Sequence, residues 1–160
     1  MFKIETGKDN AILRKVCKEV DVFDENLKST INEMVETMTA PDPETDIVGI
    51  GLAANQCGID ARILVITLNV NTKKEHKIVA MVNPEVLEFS KNEVSLEEGC
   101  LSLPNTFAKV TRPQKVRVRW QNYEGNICEK KLSDWDARIF QHELDHLNGK
   151  LFTDYLKKGK

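Results

Sequence analysis

Residues 133–149 read SDWDARIFQHELDHLNG, and this stretch decides how the rest of the chain is read. Ser133 followed by Asp136 is a weak capping box that opens a helix, and Gly149 suits its C-terminal end. Ile139, Phe140, Leu144 and Leu147 give that helix an apolar stripe. His142 and His146 stand at i and i+4, so their rings lie one turn apart on one face and can converge on one cation. Glu143 lies beside them, within reach of the proton of a water held there. The same HExxH pattern also arises from two surface histidines among charged neighbours. The apolar stripe weighs against that alternative. Two buried imidazoles without partners would leave polar nitrogens unsatisfied, and a metal supplies the partner.

An open metal site of the catalytic kind takes three protein ligands. Downstream of His146 no third one offers itself: Phe152 stands where a long zinc-protease motif places another histidine, and Asp154, the only acid there, lies past the helix. Upstream, His76 sits in the charged turn Lys73-Lys74-Glu75-His76, a solvent position. That leaves Cys17, Cys57, Cys100 and Cys128, which are widely spaced, form no CxxC pair and are expected as thiols in a reducing compartment. The context Glu97-Glu98-Gly99-Cys100-Leu101-Ser102-Leu103-Pro104 favours Cys100. Gly99 permits close backbone approach to a ligand, and the apolar residues that follow shield a thiolate. On these grounds the other three cysteines stay open, each with the ordinary role of a small buried hydrophobe.

Outward from this helix, the 160 residues suit one catalytic domain spanning 1–160. A formal charge of -2 without a basic stripe excludes binding to nucleic acid by phosphate neutralisation. Lys157, Lys158 and Lys160 read as a solvated tail. No stretch approaches the roughly 20 apolar residues of a membrane span, and charges interrupt the N-terminus where a signal peptide would be apolar, so a cytoplasmic protein is expected. Asp9 to Val20 has helical spacing in Ile12, Leu13, Val16 and Val20. Asp24 to Met38 reads as a longer amphipathic helix, N-capped by Asp24 and stopped before Pro41. Arg62–Leu68, Lys77–Val82 and Glu85–Phe89 read as strands, the last two broken by Asn83-Pro84. Lys115–Trp120 and Ile127–Leu132 read as a hairpin turning at Glu124-Gly125. The expected class is α+β, with mostly antiparallel strands packed around the C-terminal HExxH-bearing helix and with helices at the N-terminus.

Three segments then carry a family resemblance. Gly49-Ile50-Gly51-Leu52-Ala53-Ala54-Asn55-Gln56, Glu98-Gly99-Cys100-Leu101-Ser102 and Gln141-His142-Glu143-Leu144-Asp145-His146-Leu147 together resemble the peptide deformylases, in the family's order. Gly149-Lys150-Leu151-Phe152 and Asn83-Pro84 extend the likeness to roughly the whole chain. The resemblance implies an enzyme that hydrolyses the N-formyl group from N-formylmethionine at the start of newly made polypeptides, releasing formate. It implies one divalent metal, Fe²⁺ in the cell, with Zn²⁺, Ni²⁺ or Co²⁺ as substitutes, held by Cys100, His142 and His146. Glu143 is the implied acid and base, and Gln56 with the backbone N–H of Leu101 the implied holders of the oxyanion. Ile50, Gly51, Gly99 and Ile139 are implied to line the methionine pocket or to pair with the peptide backbone. Implied partners are formylated nascent chains near the ribosome, met by a monomer with no direct contact to nucleic acid or membrane.

Departures from the pattern are visible. Asn55 stands where the family commonly has proline, which alters loop stiffness rather than chemistry. Residues 41–46 lengthen the loop before the first motif, and Phe107 stands where some members carry a peptide-facing arginine. The sequence ends soon after Phe152, as in compact members, phage-encoded ones among them. Glu98 and Arg112 either brace the cysteine segment as a pair or stand as independent surface charges. Two rivals remain: a metallopeptidase cutting internal bonds, and a structural metal module in which Cys57 closes the site as a fourth ligand.

Overall fold

The computed structural model describes residues 1–156; the lysine tail at Lys157, Lys158 and Lys160 lies outside them. Helix α1 (Glu25–Thr39) follows its sequence signals closely. The Asp24 carboxylate accepts the Leu27 N–H at 3.0 Å, and the chain turns extended at Ala40, before Pro41. Leu27, Ile31, Met34 and Met38 form its buried face. The upstream segment differs from its helical spacing. Only Ala11–Arg14 forms a short 3-10 turn, with Leu13 its buried residue. From there the chain runs out along the end of another helix, where the Cys17 N–H donates to the Leu147 carbonyl at 2.8 Å. A long-range contact overrides a weak local periodicity.

Seven strands follow: β1 (Gly51–Ala53), β2 (Ile63–Leu68), β3 (Lys77–Phe89), β4 (Glu93–Cys100), β5 (Leu103–Pro113), β6 (Lys115–Gln121) and β7 (Ile127–Ser133). They form a five-stranded sheet in the order β1-β2-β3-β6-β7 and a separate β4–β5 hairpin, antiparallel throughout. Helix α2 (Asp134–Leu147) carries the HExxH motif. The architecture is α+β, as the sequence implied. β2 is apolar on both faces because both are covered. Leu64, Ile66 and Leu68 pack with Phe140 and Leu147 of α2, and Ile63 and Val65 pack with Ile31 and Met34 of α1. Among the described residues no helix is long and apolar enough to cross a membrane.

Two further expectations are corrected. Asn83-Pro84 does not end a strand; β3 runs through it with a register shift between Val82 and Glu85. Asn83 takes φ 51° and bonds both ways with Val20, accepting its N–H at 2.8 Å and donating to its carbonyl at 3.0 Å. A bulge there absorbs the proline's missing donor. The capping box at the start of α2 does not form either: Ser133 makes no side-chain cap, and Asp136 instead accepts the Asn69 N–H at 2.9 Å. The β4–β5 hairpin, which the strand readings left out, sets one wall of the site.

Candidate metal centre

Helix α2 presents His142 and His146 side by side, with ring centroids 5.1 Å apart. Cys100 comes from the far end of β4, where the hairpin reverses through Leu101 and Ser102 and the register shifts. Its Sγ lies 3.3 Å from His146 Nε2. One ligand atom from each of Cys100, His142 and His146 falls within 4.8 Å of the others, and among the described residues this is the one such group found. Cys57 is not part of it. It sits in the core between α1 and β2, where burial, with Glu33 and Glu143 adding, pushes its thiol up to about 12.

Two of the three ligands are held by a second contact, whereas His146 Nδ1 is buried without a hydrogen-bond partner. Glu98, buried on β4, accepts from His142 Nδ1 at 2.8 Å, which turns that ring's Nε2 inward. The same carboxylate takes Arg112 Nε at 2.6 Å and Nη2 at 3.0 Å, and Arg138 Nη1 at 2.6 Å. Of the two readings offered for Glu98 and Arg112, the buried pair is the one found. Burial alone would raise the Glu98 carboxyl; the hydrogen bonds from His142 and Arg112 outweigh it and hold the group at about 2. Arg112 also reaches Asp145 at 2.8 Å, which accepts the Tyr155 hydroxyl at 2.7 Å. On the sulfur side, the Ser102 N–H donates to Cys100 Sγ at 3.4 Å and Gln56 Nε2 at 3.6 Å. Gln56 Oε1 accepts the Ala53 N–H at 2.9 Å. That bond fixes which end of the amide faces the metal centre and leaves Nε2 as the donor.

Glu143 is 5% exposed. Its Oε2 has no hydrogen-bond partner, and burial raises the carboxyl to about 7. It lies hard against β1: a Cβ on Gly51 would sit 2.6 Å from Glu143 Oε1. Gly51 is therefore where the absence of a side chain lets the carboxylate in. Gly99 is bare where a Cβ would meet the Phe107 ring at 2.7 Å. A cavity of about 610 Å³ opens over these groups, and Ile50, Gly51, Gly99, Leu101 and Ile139 line it together with Gln56, Cys100, His142 and Glu143. Phe107 and the 42–48 loop form its outer rim.

The donor set fits a divalent cation of the zinc or iron type, one thiolate sulfur and two imidazole nitrogens. Burial would discharge His142, yet its hydrogen bonds to Cys100 and Glu98 raise it to about 10. His146 is shifted the opposite way, well below the ordinary imidazole range, by burial first and then by the charge on His142, so it stands in the neutral form that a metal ligand needs. Four contributors escaped the sequence reading. Arg138 lies one turn before His142 on the same face of α2, a placement that could have flagged it. Asp145 and Ser102 carried no signal beyond their neighbours. Asn55 does more than alter loop stiffness: it is fully buried and donates to the His146 carbonyl at 2.6 Å.

With this geometry in hand, three comparisons bear on it. The family model described as polypeptide deformylase matches residues 1–160. A peptide deformylase from Thermotoga neapolitana is 43% identical over 160 residues, covering 100% of this chain and 90% of the relative. The crystal structure of peptide deformylase from Thermotoga maritima superposes with a TM-score of 0.87 at 42% identity, covering 98% of each chain. A probable peptide deformylase from Synechococcus phage S-SSM7 gives a TM-score of 0.85 at 37% identity, covering 98% of this chain and 100% of the other.

Proposed function

Because the chain belongs to the polypeptide deformylase family, we propose that Cys100, His142 and His146 hold one divalent ion, with Glu143, Gln56 and Leu101 working around it. The family assignment itself carries the reaction: the enzyme removes the N-formyl group from nascent polypeptides by metal-dependent hydrolysis. The convergence of one sulfur and two imidazoles within 4.8 Å supports the ligand assignment. A divalent ion held there supplies Lewis acidity, which polarises a carbonyl and makes water a nucleophile near neutral pH.

Residue chemistry supplies the rest. Glu143, with a carboxyl near 7, takes a proton from the attacking water and passes it to the amine as the formyl C–N bond breaks. Formate leaves, and the peptide keeps a free methionine amine. Gln56 Nε2 and the Leu101 N–H donate to the oxygen on which negative charge grows. In other acyl-transfer sites one such donor contributes about 3–4 kcal/mol. Ile50 and Ile139 offer apolar surface to the methionine side chain, while Gly51 and Gly99 leave backbone accessible to the peptide. The catalytic unit is the single domain 1–160. Fe²⁺ is the ion in the cell; of Fe²⁺, Co²⁺, Ni²⁺ and Zn²⁺ it binds such a donor set most weakly, so metal availability rather than affinity selects it. The enzyme acts as a monomer in the cytoplasm, near the ribosome, where formylated chains emerge.

The test is formate release from formyl-Met-Ala-Ser by anaerobically purified, metal-analysed protein, beside an unblocked peptide of the same length. Cleavage of the formylated peptide alone is expected. Cleavage of internal bonds in the unblocked peptide would point to the metallopeptidase instead.

A further inference from the structure

We propose that Asn55 is a positioning residue for His146, and that the short turn carrying Asn55 and Gln56 cross-braces the two elements from which the metal ligands come. Residues Ala54–Cys57 form one 3-10 turn, in which successive side chains point about 120° apart. Asn55 and Gln56 use that divergence. Gln56 reaches the β4–β5 reversal, donating to Ser102 Oγ at 3.1 Å and to Cys100 Sγ at 3.6 Å. Asn55 reaches the opposite way, into the last turn of α2, and donates to the His146 carbonyl at 2.6 Å, with a longer bond of 3.4 Å to the Ile12 carbonyl. Two adjacent amides thus connect the element that carries the sulfur to the residue that carries the second imidazole.

The energetics separate positioning from mere support. The His146 carbonyl already accepts the Gly149 N–H at 3.0 Å, so removing Asn55 leaves no unsatisfied group on the helix. Asn55 Oδ1 has no partner although the residue is fully buried, and an apolar side chain would avoid that desolvation. An asparagine at this spot is a poor choice for stability and a good one for fixing where His146 stands. Arg62 supplies the contrast. It grips the same helix end at the Leu147 carbonyl, 3.1 Å, and Asn148 Oδ1, 3.0 Å, without touching His146. Anchoring of the helix end therefore has its own residue.

The inference rests on the ligand set above, and full-length protein reconstituted with Co²⁺ tests both. The wild type should show cobalt–thiolate absorption. Asn55→Ala should shift the visible cobalt bands and lose the ion to a chelator faster, with an affinity lower by about 10- to 100-fold, the range for contacts that orient a ligand. Its kcat on a formyl-Met peptide should fall with KM unchanged. Asn55→Ser, whose hydroxyl retains a donor, should recover part of each effect, and it carries the test if the alanine variant does not fold. Arg62→Ala should lower Tm and leave the spectrum alone. Unchanged bands and chelation rates in the Asn55 variants, or a matching shift in Arg62→Ala, would overturn the positioning role. A wild type without thiolate absorption would overturn the ligand set and this inference with it.

Discussion

At the scale of single residues, the chemistry divides into groups that touch the reaction and groups that aim them. Glu143→Gln keeps the volume and removes the base. Metal analysis should find the ion still bound, while kcat drops about 10²- to 10⁴-fold, the usual share of a positioned acid or base; full turnover in this variant would remove Glu143 from the mechanism. The cysteines should separate equally clearly. Cys100→Ser should lose metal affinity and Cys57→Ser should not, and Cys57, its thiol near 12, should resist alkylation at pH 8 in the folded protein. What was readable from sequence here was what is local. His142, Glu143 and His146 sit within one helical turn and a bit, so spacing alone aligns them. Glu98, Arg112 and Arg138 are joined across separations of 14 and 40 residues. No periodicity reports a carboxylate that meets its arginines only after a hairpin and a helix have docked.

Elements were legible where one face is apolar and the other wet. α1, β2 and the β6–β7 pair have that pattern or a continuous apolar run, and the sequence found them. β4 and β5 do not. Glu98 and Arg112, two of the inward-facing residues of this hairpin, are charged, so inward and outward positions look alike in the sequence. That buried ion network is also what locks the hairpin to α2. Arg138 is 4% exposed and donates to Glu98, Val110 and Val94. Arg138→Ala should destabilise by about 3 kcal/mol or more, because it leaves buried acceptors and part of a buried charge uncompensated. Calorimetry should register that as a Tm lower by about 6 °C or more for a chain of this size. β1 makes the opposite case, an element whose register matters more to chemistry than to stability. Gly51→Ala would press on the buried Glu143 side chain from Oε1, at 2.6 Å, to Cγ, at 2.9 Å, so the side chain must shift. Tm should fall less than in Arg138→Ala, whereas kcat should fall on the order of 100-fold, as for a catalytic group displaced by about 1 Å. A Gly51→Ala enzyme with normal kcat would show that Glu143 does not work from this position.

For the molecule as a whole, the titrating groups of the site pull stability in opposite directions with pH, and the metal decides the balance. The Glu98 carboxyl is held at about 2, because the His142 and Arg112 hydrogen bonds outweigh its burial. A lowered carboxyl contributes stability above its ordinary range near 4.5, and that stability is lost as pH falls toward 2. Burial raises Glu143 to about 7, and the bonds to Cys100 and Glu98 raise His142 to about 10 against burial. For both, the folded state binds more protons than the unfolded one, so their contribution is full at low pH and disappears as pH climbs through 7 and then 10. His146 runs the other way: burial, then the charge on His142, hold it well below its ordinary 6.5, so its contribution is present above that value and lost below it. Protein stripped of metal should therefore melt highest near neutrality and lose Tm steadily above it. A bound cation takes the place of the His142 proton at the ligand cluster and is favoured by deprotonated ligands. The difference in Tm between cobalt-loaded and stripped protein should accordingly widen from pH 5.5 to pH 8.5 in scanning calorimetry. A gap that stayed constant or narrowed over that range would place the cation away from His142 and Cys100, since only a charge at that position competes with the imidazole's proton.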